Sequence, residues 1–240
     1  MAKGEPEREL PLIGRDIPFS AIEGELCRVV DFGNLSQVVD GKVGTKVVAK
    51  LLDRGHNVTA FIYGKSSFPS NEKLHVVSGD VHNSENIEQA IAGCDVVIST
   101  LGSWGTKTKD ILTAGMQNII PAMQLHHVHR IVTLTGAGAL APNDKPTVID
   151  RLNRWLLLRV ARPILEDGEE HLRLLHESTL DWTTVRSPVM RERGKPGKYI
   201  LGEEPPLPWA TIVRDDVATA LVELAENNQW DKKAPFIRRH

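Results

Sequence analysis

Three glycines in DFGNLSQVVDGKVGTKVVAKLL carry the residue types of a dinucleotide loop at the wrong spacing: Gly33 stands well ahead of Gly41 and Gly44. In the usual strand–loop–helix arrangement the first glycine permits a tight turn and the second lets backbone approach pyrophosphate. The third lets the helix pack closely on the strand. Free N–H groups and the dipole at the helix start then favour the anion. GKVG keeps the last two parts, so its chemistry would be diphosphate binding by amides around Gly41, Lys42, Val43 and Gly44. With LSQVV as the first strand, Val38 and Val39 would occupy positions that need small residues. With LCRVVDF as the strand, Gly33 is the turn and NLSQVV an insertion before Asp40 and Gly41. The second alignment is preferred, because a surface loop absorbs extra residues at small entropic cost. Taken alone, Gly41 and Gly44 also read as an ordinary tight connection.

Other clusters are weaker in chemistry. LHHVHR brings together His126, His127 and His129 at a predicted helix end, where solvated imidazoles near the negative dipole are favoured over a metal site. HESTL has Leu180 where a zinc HExxH motif needs its second histidine, so no metal is expected. Cys27 and Cys94 each lie in an apolar, strand-like stretch and read as packed thiols.

These residues need a scaffold. From Leu26 onward, strand-like runs alternate with helical patterns: LCRVVDF, NVTAFIY, LHVVSGD, CDVVISTLG, RIVTLTG and LDWTTVR. Such alternation predicts an α/β class, a doubly wound parallel sheet with helices on both faces. Val43, Val47, Val48, Leu51 and Leu52 recur at helical spacing, as do Ile111, Leu112, Met116, Ile119, Ile120 and Met123. Short strands are expected near Lys198–Leu201 and Pro235–Ile237. Residues 147–161 predict an amphipathic helix with Ile149, Leu152, Leu156 and Val160 on its core side and Arg151, Arg154 and Arg159 on a solvated edge. A membrane surface or protein partner is the other reading of that helix. Residues 1–24 mix charges, prolines and glycines without periodicity and read as an extended arm, with one domain over 25–240. The net charge of -2 gives no basic field for nucleic acid, and no apolar run suggests a transmembrane segment or signal peptide. A cytoplasmic protein is expected.

From Gly41 onward, the order of segments resembles the atypical short-chain dehydrogenase/reductase superfamily, specifically its NAD(P)H-binding group of flavin/biliverdin-reductase-like and NmrA-like proteins. The matching stretches are GKVGTKVVAKLLDRGHNVTAFIY, VVSGDV, GCDVVISTLG, AGMQNIIPAMQLHHVHRIVTLTGAGA, ESTLDWTTVRSP and VRDDVATALVELAEN. The resemblance implies a single-domain Rossmann fold. It implies that Asp80 and Val81 face adenine, that Thr100, Leu101, Gly102 and Thr133 to Gly136 border ribose and nicotinamide, and that Pro188 lies near nicotinamide. Read from the residues themselves, Asp80 could instead cap the following turn and Thr133 and Thr135 could be ordinary β-branched strand residues, but their shared location favours a ligand edge. The second strand ends FIYGKSS, with no acid to bind the 2'-OH of NAD. Lys65 and Ser66 instead suit the 2'-phosphate of NADP, beside Tyr63 where the family often carries arginine.

Many short-chain dehydrogenases use Tyr-x-x-x-Lys for proton transfer, and that pair is missing. The only tyrosines, Tyr63 and Tyr199, are followed at that spacing by Ser67 and Glu203, and PILEDGEEHLRLL fills the region concerned. Hydride transfer to a flavin, quinone or other conjugated or carbonyl acceptor would survive this loss, with Thr135 as a candidate hydrogen-bond donor. Arg186 either binds an acidic substrate or forms a structural ion pair. A noncatalytic, NmrA-like redox sensor is the alternative function. A homo-oligomer or a protein partner is compatible with either.

Overall fold

The computed structural model describes residues 27–32, 42–64, 68–104 and 106–239. The elements are β1 (Cys27–Phe32), α1 (Lys42–Asp53), β2 (Asn57–Ile62), β3 (Leu74–Ser78), α2 (Ser84–Ile91), β4 (Val96–Ser99), α3 (Ile111–Leu125) and β5 (Arg130–Gly136). There follow α4 (Val148–Glu177), β6 (Asp181–Ser187), β7 (Val189–Arg191), β8 (Tyr199–Gly202), β9 (Thr211–Val213), α5 (Arg214–Glu226) and β10 (Phe236–Arg239). The main sheet runs β3-β2-β1-β4-β5-β6-β10-β8, with β10 parallel to β6 and β8 antiparallel to β10. Its first six strands have the order of a doubly wound sheet, which reverses direction between β1 and β4. The LCRVVDF segment supplies β1, paired with β2 on one side and β4 on the other. The short strands expected late in the chain are β8 and β10. A separate parallel pair, β7 with β9, was not foreseen, because three-residue strands carry too little alternation to be read.

Alternation along the strands fills both faces. Val58, Ala60 and Ile62 join Val47, Leu51, Val217 and Leu221 beneath α1 and α5. Phe61, Val97 and Ile131 join Ile87, Met116 and Leu175 beneath α2, α3 and α4. Two buried faces are what a parallel sheet requires. The helical spacings behave as read: Val43, Val47, Val48 and Leu51 are buried, as are Leu112, Met116, Ile119 and Met123. At Gly79 an added Cβ would sit 2.7 Å from both Asn86 Cβ and Phe61 Cε2, so α2 reaches the end of β3 only over a hydrogen atom.

Two expectations are corrected. Cys94 lies in the turn before β4 rather than in a strand, buried with its thiol 3.6 Å from the Ala90 carbonyl oxygen. The helix over 147–161 forms as the first half of α4, but Leu156 and Val160 of its apolar stripe do not face the core: both are exposed, while the side chains of Ile149 and Leu152 lie outside the described residues. The cause is a kink at Ala161 (φ -138°, ψ 33°), just ahead of Pro163, which has no N–H to donate and a ring that crowds the preceding turn. Arg154 pairs with Glu169, 15 positions on. A straight helix would hold those residues about 22 Å apart, so the first half must fold back. Leu157 then packs over Gly138, where an added Cβ would lie 2.8 Å from Leu157 Cδ1. Among the described residues no helix is long and apolar enough to cross a membrane.

His171, on the second half of α4, is fully buried, and neither ring nitrogen meets a partner among the described residues. Burial pushes its pKa down to about 3. The unfolded imidazole takes a proton below about pH 6.5 that the folded ring refuses, so stability falls as pH drops through that range. Between pH 7.5 and pH 5 this amounts to about 2 kcal/mol. Urea unfolding of the wild type and His171→Leu at both pH values should show that extra loss only in the wild type; equal pH slopes would refute it.

Candidate functional site

The strands of a doubly wound sheet deliver their loops to the carboxyl edge, and the reversal between β1 and β4 opens a crevice there. Helix α1 begins beside it, with Val43 and Gly44 buried in a first turn that carries no acidic residue. Two other helix starts are already capped, and a third carries acids of its own. The Asn83 side chain accepts from Glu85 and Asn86 N–H at the start of α2, and α5 carries Asp215 and Asp216 in its own first turn. The start of α3 is filled from another helix: Asp167 of α4 accepts from Leu112 N–H at 3.1 Å and Thr113 N–H at 2.9 Å. Gly33, Gly41, Lys65 and Ser66 lie outside the described residues, as does the Lys42 side chain.

Beyond α1, Tyr63 follows β2 half exposed, ahead of Gly64, whose φ of 96° suits glycine alone at that turn. Asp80 follows β3. Its Oδ1 accepts from the His82 backbone N–H at 2.9 Å and lies 2.7 Å from His82 Nδ1. The backbone donor holds the Asp80 carboxyl below its ordinary range, burial opposing it and the ring reinforcing it. The turn-capping role is therefore present, and the side chain still remains half exposed. Val81 is buried, and its carbonyl accepts from Asn118 Nδ2 of α3 at 2.6 Å.

On the other side of the crevice, Thr100 and Leu101 leave β4 buried, while a Cβ added at Gly102 or at Gly136 would meet nothing within 4 Å. Thr135 is buried under Gly168, where an added Cβ would lie 2.8 Å from its Oγ1. Thr133 sits deeper, its hydroxyl 2.7 Å from that of Thr184 across the β5–β6 pair. Pro188 joins β6 to β7. Register pairs Val189 with Thr211, which brings the segment holding Trp209 to the same end. Trp104, Val189 and Trp209 are all exposed.

Sequence reasoning missed the group that fixes the loop after β4. Ser103 is buried and donates to Asp167 Oδ2, so one carboxylate joins that loop, the start of α3 and the second half of α4. The available signal was the place of Asp167 one and two helical turns before the buried His171 and Leu175, on an apolar stripe where a charge needs partners. Arg186 forms the structural ion pair of the two readings. It is buried, donates to both oxygens of Asp144 and to Ala234 O at 2.7 Å, and stacks over the Phe236 ring at 3.7 Å. The clamp ties the loop after β5 to β6 and β10.

The family described as NAD(P)H-binding matches residues 39–228. A stretch of 104 residues is 34% identical to a 3-beta-hydroxysteroid dehydrogenase from Mycolicibacterium neoaurum, covering 38% of this chain and 28% of that protein. The chain thus spans under a third of that relative's length. The fold is similar to a short-chain dehydrogenase/reductase from Veillonella parvula solved in complex with NADP, at TM-score 0.69 and 18% identity over 88% of this chain and 94% of that one. It is also similar to the anaerobillin reductase ChuY from Escherichia coli O157:H7, at TM-score 0.67 and 16% identity over 88% and 97%.

Proposed function

Because the chain belongs to the NAD(P)H-binding family, we propose that it is a reductase using NADPH to reduce a conjugated acceptor: a flavin, a quinone or an enone-like carbonyl compound. The observation that carries this is the acid-free start of α1 at the strand-order reversal, whereas the starts of α2 and α3 are capped by side-chain oxygens and that of α5 carries Asp215 and Asp216. The residues fit such a ligand: amides from Gly41 to Gly44 would hold diphosphate and Asp80 with Val81 the adenine. Lys65 and Ser66 would take the 2'-phosphate. Thr100, Leu101, Gly102, Thr135 and Pro188 would border the nicotinamide, with Thr133 beneath them.

When bound, the reduced nicotinamide supplies hydride, and with one further proton the acceptor gains two electrons and two protons in all. Among the described residues placed beside the nicotinamide position, neither Asp167 nor Thr135 is suited to deliver that proton. Asp167 already accepts from three donors, and Thr135 lies covered by α4. Water can supply the proton, which suits an acceptor whose conjugation stabilises the anion left by hydride addition. Trp104, Val189 and Trp209, all exposed, would give the crevice an apolar rim for a flat acceptor.

Titration should show tighter binding of NADPH than NADH, and cofactor oxidation should follow with a flavin or quinone. Gly102→Val separates site from fold: a Cβ there meets nothing within 4 Å, so the melting temperature should hold. NADPH affinity should fall at least about tenfold as the valine enters the ligand's space. Unchanged affinity would sink the placement. The missing tyrosine–lysine pair also favours a noncatalytic redox sensor, which binding without turnover of any acceptor would select.

A further inference from the structure

The first half of α4 presents to solvent the side chains that a core helix hides. Trp155 is 49% exposed, Leu156 58% and Val160 82%. At 3.6 residues per turn these three and Arg159 share one face. The opposite side holds the helix to the body, through Arg154 on Glu169 and Leu157 over Gly138. The exposed face is therefore the side turned away from those contacts with the body.

Its charges decide what it fits. From Arg151 to Leu165 the chain has four arginines and no acid. Arg154 and Arg162 pair with Glu169 and Glu166, while Arg151 is exposed and the Arg159 guanidinium lies 3.7 Å over the Trp155 ring. In a two-fold dimer the same face would meet itself, so Arg151 and Arg159 would approach their own copies, and like charges oppose that pairing. An anionic lipid surface meets both requirements. Apolar side chains enter the acyl boundary, tryptophan sits at headgroup level, and arginines extend toward phosphate.

We propose that the Trp155, Leu156 and Val160 face of α4 docks the protein peripherally on an anionic bilayer. The consequence for function rests on the reductase reading: an apolar acceptor that partitions into lipid would be met at the surface. The docking itself does not rest on that reading.

The test is co-sedimentation of the full chain with vesicles of phosphatidylcholine alone and with an equal part of phosphatidylglycerol. Binding is expected on the anionic vesicles only, weakening as salt screens the arginines. The double variant Trp155→Ser, Val160→Ser should lose at least about tenfold in partitioning, and Arg159→Gln about fivefold, the worth of one basic residue near such a surface. Both variants alter exposed side chains, so melting temperature and NADPH affinity should stay at wild-type values. That separates failure here from failure of the nucleotide reading. No sedimentation with anionic vesicles at low salt would overturn the proposal, as would sedimentation indifferent to both variants. A concentration-dependent dimer abolished by the double variant would assign the face to a second copy and also overturn it.

Discussion

Arg186→Ala is expected to lose about 3–5 kcal/mol of folding stability, the range for removing one partner of a buried, hydrogen-bonded charge pair. The substitution leaves the Asp144 carboxylate without its guanidinium, orphans the Ala234 carbonyl and removes the cation from the Phe236 ring. Chemical denaturation of the purified protein measures it. The paired change Arg186→Met with Asp144→Leu should recover much of the loss, because replacing both charges with apolar groups removes the desolvation penalty along with the attraction. A loss under about 1 kcal/mol in the single variant would class the pair with solvent-exposed bridges and refute the clamp.

Asp167→Ala is expected to rank beside it. Two backbone N–H groups at the start of α3 and the buried Ser103 hydroxyl lose their acceptor together. At about 1–3 kcal/mol for each buried group left unsatisfied, a total near 3–4 kcal/mol is a moderate reckoning. In a chain of this size that corresponds to a fall in Tm of roughly 6–16 °C. Asp167→Asn keeps one acceptor oxygen and should lose less, which separates the hydrogen-bonding role from simple packing. Because Ser103 anchors the loop that follows β4, the alanine variant should also bind NADPH more weakly at temperatures where it is still folded. Wild-type Tm in Asp167→Ala would contradict the cap.

Both predictions concern residues whose importance no local pattern announced. Arg186 was legible only as a cation near the end of a strand, and its two readings differed in what stood opposite. Asp144 stands 42 positions away, in a loop with no periodicity to place it. Asp167 lies 54 and 55 positions from the two N–H groups it caps, and the helix it serves is preceded by Asp110, which makes no side-chain cap of its own. A reader of α3 alone would have chosen Asp110. The helix over 147–161 teaches the converse: its spacing was read correctly and its direction was not. Amphipathicity says that a helix has two faces, whereas the bend before Pro163 decides which one meets the body.

What the chain determined by itself is the α/β class, the run of parallel strands, the helical stripes of α1 and α3, and the absence of a tyrosine–lysine pair. Each of these is fixed by residue type and by periods of two or 3.6 residues, because backbone sterics and one-sided burial act over a few neighbours. The tertiary structure alone decided that Asp167 caps α3, that Arg186 is bound to Asp144 and that α4 turns its apolar side outward. Those outcomes depend on distances between segments far apart in sequence, which come into being only when the sheet brings its loops to one edge.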